Sequence, residues 1–161
     1  MLNPKLEVNI IEQRDLSIEQ KLKIVEMWNT EYPENITHPD ISSFDNYLKN
    51  RGDKRHFLLI DRSNNICGWA MTFVRDNAKW FTIIIDQRMQ GAGLGKKLLD
   101  TLKTAEKRLS GWVIDTENYK KTNGEIYDSP LLFYKKLGFT VSENERLKND
   151  RISAVKIEWK V

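Results

Sequence analysis

The sequence predicts an α/β fold on a mixed sheet, with element order β-α-α-β-β-β-α-β-α-β-β, in one domain spanning residues 1–161. Three observations carry this. The apolar run Trp80-Phe81-Thr82-Ile83-Ile84-Ile85 passes through a polar elbow into a glycine cluster, an amphipathic helix and a second apolar run. That is one β-α-β unit, with parallel strands and a right-handed crossover. Ahead of it, turns at residues 61–65 and at Arg75-Asp76-Asn77 separate three antiparallel strands. Behind it, alternation around Val155, Ile157 and Trp159 closes the sheet, leaving helices on both faces.

Residues 6–12 alternate loosely and read as an edge strand. Ser17 with Gln20 forms a capping box, and Ile18, Leu22, Val25 and Trp28 follow at helical spacing in a first helix that ends near Thr30-Glu31-Tyr32-Pro33. The chain is loop-like from Pro33 to Pro39. A second helix starts at Ser42, capped with help from Asp45, and buries Phe44, Tyr47 and Leu48 before Arg51-Gly52-Asp53. Residues 56–60 and 66–74 are hairpin partners, and residues 80–85 form the next strand. The third helix carries Leu94, Leu98, Leu99, Leu102, Ala105 and Leu109 on one face, with Lys96, Lys97, Asp100, Lys103, Lys107 and Arg108 elsewhere, and stops at Gly111. A strand over residues 112–115 precedes a polar segment, residues 116–128, whose length makes it either mobile or part of a site. Ser129 as N-cap, Pro130 in the first turn and Gly138 past the end bracket a short helix over residues 131–137. Residues 139–141 and 152–160 are the last strands.

Of the 161 residues, 40% are hydrophobic and 30% charged, the balance of a soluble globular domain. No run approaches the roughly 18 apolar residues of a membrane span, so no membrane partner is expected. Met1-Leu2-Asn3-Pro4-Lys5 lacks the apolar core of a secretory leader, and a cytoplasmic location is expected. The single cysteine, Cys67, excludes an internal disulfide and reads as a buried thiol. His38 and His56 make no ligand spacing, so no metal is expected. A net charge of +3, with Lys and Glu interspersed, suits anionic ligands but is too mild for a nucleic-acid partner.

The stretch Gln90-Gly91-Ala92-Gly93-Leu94-Gly95-Lys96-Lys97 carries the chemistry. N–H groups in a helix's first turn lack internal partners and carry the positive end of the helix dipole. Gly91, Gly93 and Gly95 let an anion approach that backbone, foremost a diphosphate. A Walker loop is excluded because Lys97, not Ser or Thr, follows Lys96. A dinucleotide loop would need its third glycine at Lys96 and its first directly after the strand, where Asp86-Gln87-Arg88-Met89-Gln90 intervenes. Asp115 lies at the distance of a ribose contact, which keeps that alternative open, as is a plain tight turn before the helix.

Together these features resemble the GCN5-related N-acetyltransferase (GNAT) family. Gln90-Gly91-Ala92-Gly93-Leu94-Gly95 matches the family's Arg/Gln-x-x-Gly-x-Gly/Ala loop, and Phe133-Tyr134-Lys135-Lys136-Leu137-Gly138-Phe139 matches its Phe-Tyr-x-Lys-x-Gly-Phe motif. The element order is also the family's, so the likeness covers most of the chain. The resemblance implies a GNAT-like acyl-CoA N-acyltransferase fold and acetyl-CoA as co-substrate. The backbone of Gly91, Ala92, Gly93, Leu94, Gly95 and Lys96 would cradle the diphosphate, and that of Ile83, Ile84 and Ile85 would pair with the pantetheine arm. Tyr134 would point its hydroxyl at the sulfur, while Lys96 and Lys97 sit where cations could meet outer phosphates or simply face solvent. The partner implied is a small-molecule or peptide amine, and a homodimer is a common family assembly that no residue here fixes. Gln90 stands where the family more often has Arg and removes a cation. The family's Asn, seven residues before the tyrosine, is Tyr127 here, so its coenzyme contact falls to Ser129 or to another segment.

An alkylamine is mostly protonated at neutral pH, and freeing its lone pair costs roughly 4–5 kcal/mol. A base, a water chain or desolvation must assist. Asp86, Asp115, Glu117, Glu31 and Glu34 are the candidates, and the sequence does not choose among them. Trp28, Trp69, Trp80, Trp112 and Trp159 read mainly as core, and Trp28 and Tyr32 also lie near the loop that borders the acceptor site in similar folds. Two other functions compete: a non-catalytic coenzyme A-binding module and a nucleotide-dependent oxidoreductase.

Overall fold

A computed structural model describes residues 7–161. The expected strand over residues 6–12 is observed as β1, Val8–Gln13, and Leu6 lies outside the described residues. There follow α1 (Ile18–Glu31), α2 (Ile41–Lys49), β2 (Gly52–Asp61), β3 (Ile66–Arg75), β4 (Ala78–Ile85), α3 (Leu94–Ala105), β5 (Arg108–Val113), α4 (Leu131–Lys136), β6 (Thr140–Lys148) and β7 (Ser153–Lys160). The expected order holds. One seven-stranded sheet runs β1-β2-β3-β4-β5-β7-β6, in which β4 and β5 are the parallel pair.

Helices cover both faces because strand side chains alternate. Leu58, Trp69, Trp80 and Ile84 point toward α1 and α2, where Ile24, Trp28 and Phe44 pack on them. Phe57, Ala70, Phe81 and Val113 point the other way, under Leu98, Leu99 and Leu102 of α3 and Tyr134 of α4.

Several local expectations change. Ser17 does cap α1, its Oγ accepting from Gln20 N at 3.1 Å while Gln20 Oε1 accepts from Ser17 N at 2.8 Å. The buried stripe of α1, however, is Ile24, Met27 and Trp28, and Ile18 and Leu22 are 68% and 53% exposed. Two apolar stripes overlap on this helix, and the sheet takes the C-terminal one. The cap of α2 is Asp40, whose Oδ1 accepts from Ser43 N, whereas Asp45 pairs with Lys21 at 2.7 Å. Pro130 occupies the N-cap position of α4, one residue later than expected, and Ser129 Oγ instead accepts from Leu131 N.

The largest correction concerns α3, which ends at Ala105. Leu109 and Gly111 belong to β5, where Leu109, Gly111 and Val113 share one face of the strand. Leu109 fits both a helical repeat and a strand alternation, so periodicity does not separate them. Gly111 is not a helix stop. A Cβ there would lie 2.9 Å from the Phe81 ring, so the close approach of that ring to β5 needs glycine.

β4 and β5 open a gap in the sheet. β4 is paired along its whole length with β3, and β5 with β7, but between them a single register contact remains, Trp80↔Ser110. The Trp80 and Trp112 rings, 5.1 Å apart, fill the root of the gap. In the antiparallel β3–β4 ladder, residues alternate between facing the partner and facing away. Asp86 N bonds Cys67 O, so the even-numbered residues face β3, and the amides and carbonyls of Ile83 and Ile85 face the gap.

Candidate active site

The gap widens into a cavity of about 900 Å³ that passes through the sheet. On the α3–α4 side its walls are Phe81, Ile83, Ile85, Phe133, Tyr134 and the start of α3. On the α1–α2 side they are Trp28, Tyr32, Tyr47, Arg51 and Trp112, with Asn149 and Ile152 from the β6–β7 turn.

The elbow turns the chain sharply. Residues Gln87–Met89 form a short 3-10 turn, then Gly91 and Gly93 adopt φ values of 85° and 76°. Gly93 is the N-cap of α3, and a Cβ at either glycine would meet nothing within 4 Å. The first backbone bond into this helix is Lys97 N to Gly93 O, so the six amides of residues 91–96 have no acceptor among the described residues. Consecutive unbonded N–H groups at a left-handed turn and a helix N-terminus form a concave anion site. Lys96 reaches Asp100 at 2.7 Å along the outer face of the helix.

Tyr134 is buried against Phe81, Phe133 and Phe139, with ring centroids 5.1–5.8 Å apart. Its hydroxyl makes no hydrogen bond among the described residues, and burial raises its pKa above the ordinary phenol value. Tyr32 and Tyr127, with ring centroids 6.5 Å apart, are raised by burial as well. The Tyr32 hydroxyl lies 2.9 Å from Thr82 Oγ1 and 3.3 Å from Ile83 O.

Residues 116–128 are built into the site. They fold back through a Lys120↔Ile126 bridge and a turn at Gly124, and Glu34 N donates to Lys120 O at 2.8 Å. Lys121, Glu125, Ile126, Tyr127 and Asp128 line the cavity.

Of the five candidate carboxylates, Glu31 alone lines the cavity. It accepts from Gln87 N at 2.9 Å and Gln90 Nε2 at 3.1 Å, with Lys121 Nζ 3.9 Å away. Burial nevertheless raises its pKa. Asp86 is held by Arg88, which depresses its pKa, and also pairs with Lys23 at 3.7 Å. Asp115 is depressed likewise by a two-pronged contact with Arg146. That pairing also occupies the carboxylate which the dinucleotide reading needed.

Residues 53–141, more than half of the chain, match the acetyltransferase (GNAT) domain family. The chain belongs to the GNAT acetyltransferase family. No curated protein sequence matches it. Similar solved structures include an aminoglycoside 6'-N-acetyltransferase complexed with coenzyme A (TM-score 0.69, 12% identity, covering 94% of this chain and 96% of that one). Others are a GNAT acetyltransferase from Staphylococcus aureus Mu50 (0.66, 19%, 96% and 99%) and a ribosomal-protein-alanine N-acetyltransferase from Escherichia coli (0.64, 19%, 96% and 94%). At these identities the likeness is one of fold.

In this GNAT protein the cavity brings together Ile83, Ile84, Ile85, Gln90, Gly91, Gly93, Leu94, Gly95, Lys96 and Tyr134. Ile84 joins through its side chain only, since its backbone groups face β3. Ile83 O and Ile85 O accept from Tyr32 Oη and Gln90 Nε2, at 3.3 and 3.1 Å. Ala92 packs beside Leu94, off the cavity wall. Ser129 also stands outside it, and its Oγ donates to Ile114 O at 2.6 Å and tethers α4 to the end of β5. Lys121, Glu125 and Asp128 bring the segment of residues 116–128 into the cavity wall, and Tyr47, Arg51 and Trp112 line it as well, although the sequence marks none of these three as a site residue. Tyr47 and Arg51 stand four residues apart at the end of α2 and Trp112 is in β5, and no motif links them to the glycine run.

Cys67 and the two histidines stay outside the chemistry. The thiol is buried and pushed up to about 11 by burial. His38 bonds Ser43 Oγ at 2.7 Å, and His56 Nδ1 accepts from Trp69 Nε1 at 3.0 Å. Among the described residues no group of three His, Cys, Asp or Glu could hold a metal ion, and no helix is long and apolar enough to cross a membrane.

Proposed function

We propose that the protein transfers an acetyl group from acetyl-CoA to a primary amine by direct attack. The observation that carries this reading is that the unbonded amides beginning α3 and the Tyr134 hydroxyl open on one cavity through the sheet. The amides of Gly91, Ala92, Gly93, Leu94, Gly95 and Lys96 hold the diphosphate, and Ile83 and Ile85 offer backbone to the pantetheine arm. Ser129 has its hydroxyl committed to Ile114 and makes no part of the coenzyme contact in this reading.

The amine nitrogen attacks the acetyl carbon, a C–N bond forms and the C–S bond breaks. The ammonium proton leaves first, and Glu31 is its acceptor in this scheme because it lines the cavity and burial makes it more basic. The sulfur departs as thiolate, and the attacking nitrogen releases its second proton to solvent as the amide forms. A phenol near 10 against a thiol near 8.5 makes full transfer uphill by about 2 kcal/mol, and burial of Tyr134 widens the gap. Tyr134 therefore donates a hydrogen bond to the developing thiolate, and solvent completes the protonation.

Isothermal titration with acetyl-CoA, followed by a thiol-release assay against an amine panel, tests the reading. Micromolar binding with thiol release is expected. Binding without release toward any amine would leave a coenzyme A-binding module, and absence of binding would overturn the proposal.

A further inference from the structure

The half of the cavity beneath α1 and α2 contains a cation without a counter-charge. Arg51 follows α2 and lines the cavity wall. Its guanidinium carbon sits 3.7 Å from the Tyr47 ring centroid and 5.3 Å from that of Phe73. Nη1 donates to Tyr47 O at 2.8 Å, and Nε is buried without an acceptor. Among the described residues no carboxylate forms a salt bridge with it; Glu12, Asp53 and Glu106 serve Arg55, Arg14 and Lys79 instead. Burial, and then the like charge of Arg75, depress its pKa. Arg75 rests over Phe73 and Trp80 at 5.3 and 5.5 Å. A second buried donor on the same wall, Trp112 Nε1, also has no acceptor.

The acids that touch the cavity are elsewhere. Glu31 is bound by the elbow, while Glu125 and Asp128 are exposed on the segment of residues 116–128. Positive charge and unused donors therefore face an aromatic chamber. Partly buried, unpaired guanidinium groups are costly unless an anion joins them, and the planar fork of arginine fits a carboxylate best.

Resting on the amine-acetylation reading, we propose that the acceptor is an amine that also bears a carboxylate, with the carboxylate on Arg51 and the carbon body against Trp28, Tyr47 and Trp112. Its amine is acetylated as described above, and the carboxylate is unchanged by the reaction. A polyamine would instead bring further positive charge beside Arg51 and Arg75, where like charges repel.

The test compares each amino acid with its own carboxamide and with its decarboxylated amine, using phenylalanine, leucine and 4-aminobutyrate, and spermidine as the polycation. Thiol release should favour the carboxylate by about 10- to 100-fold in kcat/KM over the matched carboxamide, the range for one charge-assisted contact. Arg51→Gln should bring that ratio close to one, and Arg51→Lys should leave it in between. The ratio is taken within one preparation, so partial misfolding of a variant does not alter it. Equal or better use of carboxamide or spermidine, or a ratio that Arg51→Gln leaves intact, overturns the proposal. If no amine releases thiol, acetylation itself fails, and calorimetric binding of the same pairs to the coenzyme A-loaded protein decides the acceptor class separately. Carboxylate-selective binding lost in Arg51→Gln supports it, and its absence overturns it.

Discussion

On the α3 side of the cavity, residues 91–96 are contiguous and present a row of unbonded amides at one helix end. On the α1–α2 side, Trp28, Trp112 and the neighbouring pair Tyr47 and Arg51 arrive from three elements and meet only because the sheet is covered on that face. The first half is a local backbone device, whose geometry follows from where glycine stands. The second is a packing product, sensitive to how α1 and α2 seat on β3 and β4. Donor binding and acceptor binding should therefore respond to different perturbations.

The sharpest probe lies where the halves meet. Tyr134→Phe should lower turnover by about 100-fold or more while the acetyl-CoA Kd stays nearly constant, because the phenyl ring keeps the contacts to Phe81 and Phe139. Unchanged turnover in steady-state assays removes the hydroxyl from the mechanism.

Acid should loosen the acceptor half first. His56 is buried and held down to about 4, mainly by burial, and as the neutral ring it accepts from Trp69, which packs 6.4 Å from Trp28. A depressed histidine stabilises the fold fully above its unfolded value of 6.5 and loses that contribution as pH falls toward 4. About 3 kcal/mol is at stake. Thermal melts between pH 7.5 and pH 4.5 should show it, and hydrogen exchange should rise in α1 and α2 before α3. His56→Gln should flatten the dependence, and an unaltered profile would dismiss His56 as its source.

Glu31→Gln should reduce kcat by about tenfold at neutral pH. The wild-type rate should fall on the acid side at a pH above the ordinary carboxylate value, because burial raises the Glu31 pKa. The variant should lose that limb, and retention of the limb would assign the base elsewhere.

Gly93→Ala addresses the donor half alone. At φ 76° with open space around the added methyl, its cost is backbone strain of about 1–2 kcal/mol, and the acetyl-CoA Kd should rise about tenfold while the acceptor KM holds. The smallest effect belongs to Asp40→Ala, which removes the cap of α2 for about 1 kcal/mol in chemical denaturation.

The glycine run, the Phe133–Phe139 motif and the alternation of the strands were legible in the residues because each is a local pattern. The end of α3 was not, since Leu109 satisfies both a helical and a strand repeat, and the contact between Phe81 and Gly111 that favours the strand is long-range. The cap of α2 is ambiguous in the sequence because Asp40 and Asp45 are both good capping residues, and an ion pair with Lys21 engages the second. Glu31 is one of five equivalent carboxylates in the sequence, and the fold separates it by placing it in the cavity wall while Asp86 and Asp115 are tied closely to Arg88 and Arg146.

By itself the amino-acid order determined the family, the succession of elements and the glycine-rich start of α3, because backbone conformation and hydrophobic periodicity are properties of neighbouring residues. Only the tertiary structure decided how far β4 and β5 diverge, which carboxylate enters the cavity and that Arg51 faces it without a counter-charge. Those outcomes depend on desolvation and on contacts between residues far apart in the chain, which no local pattern encodes.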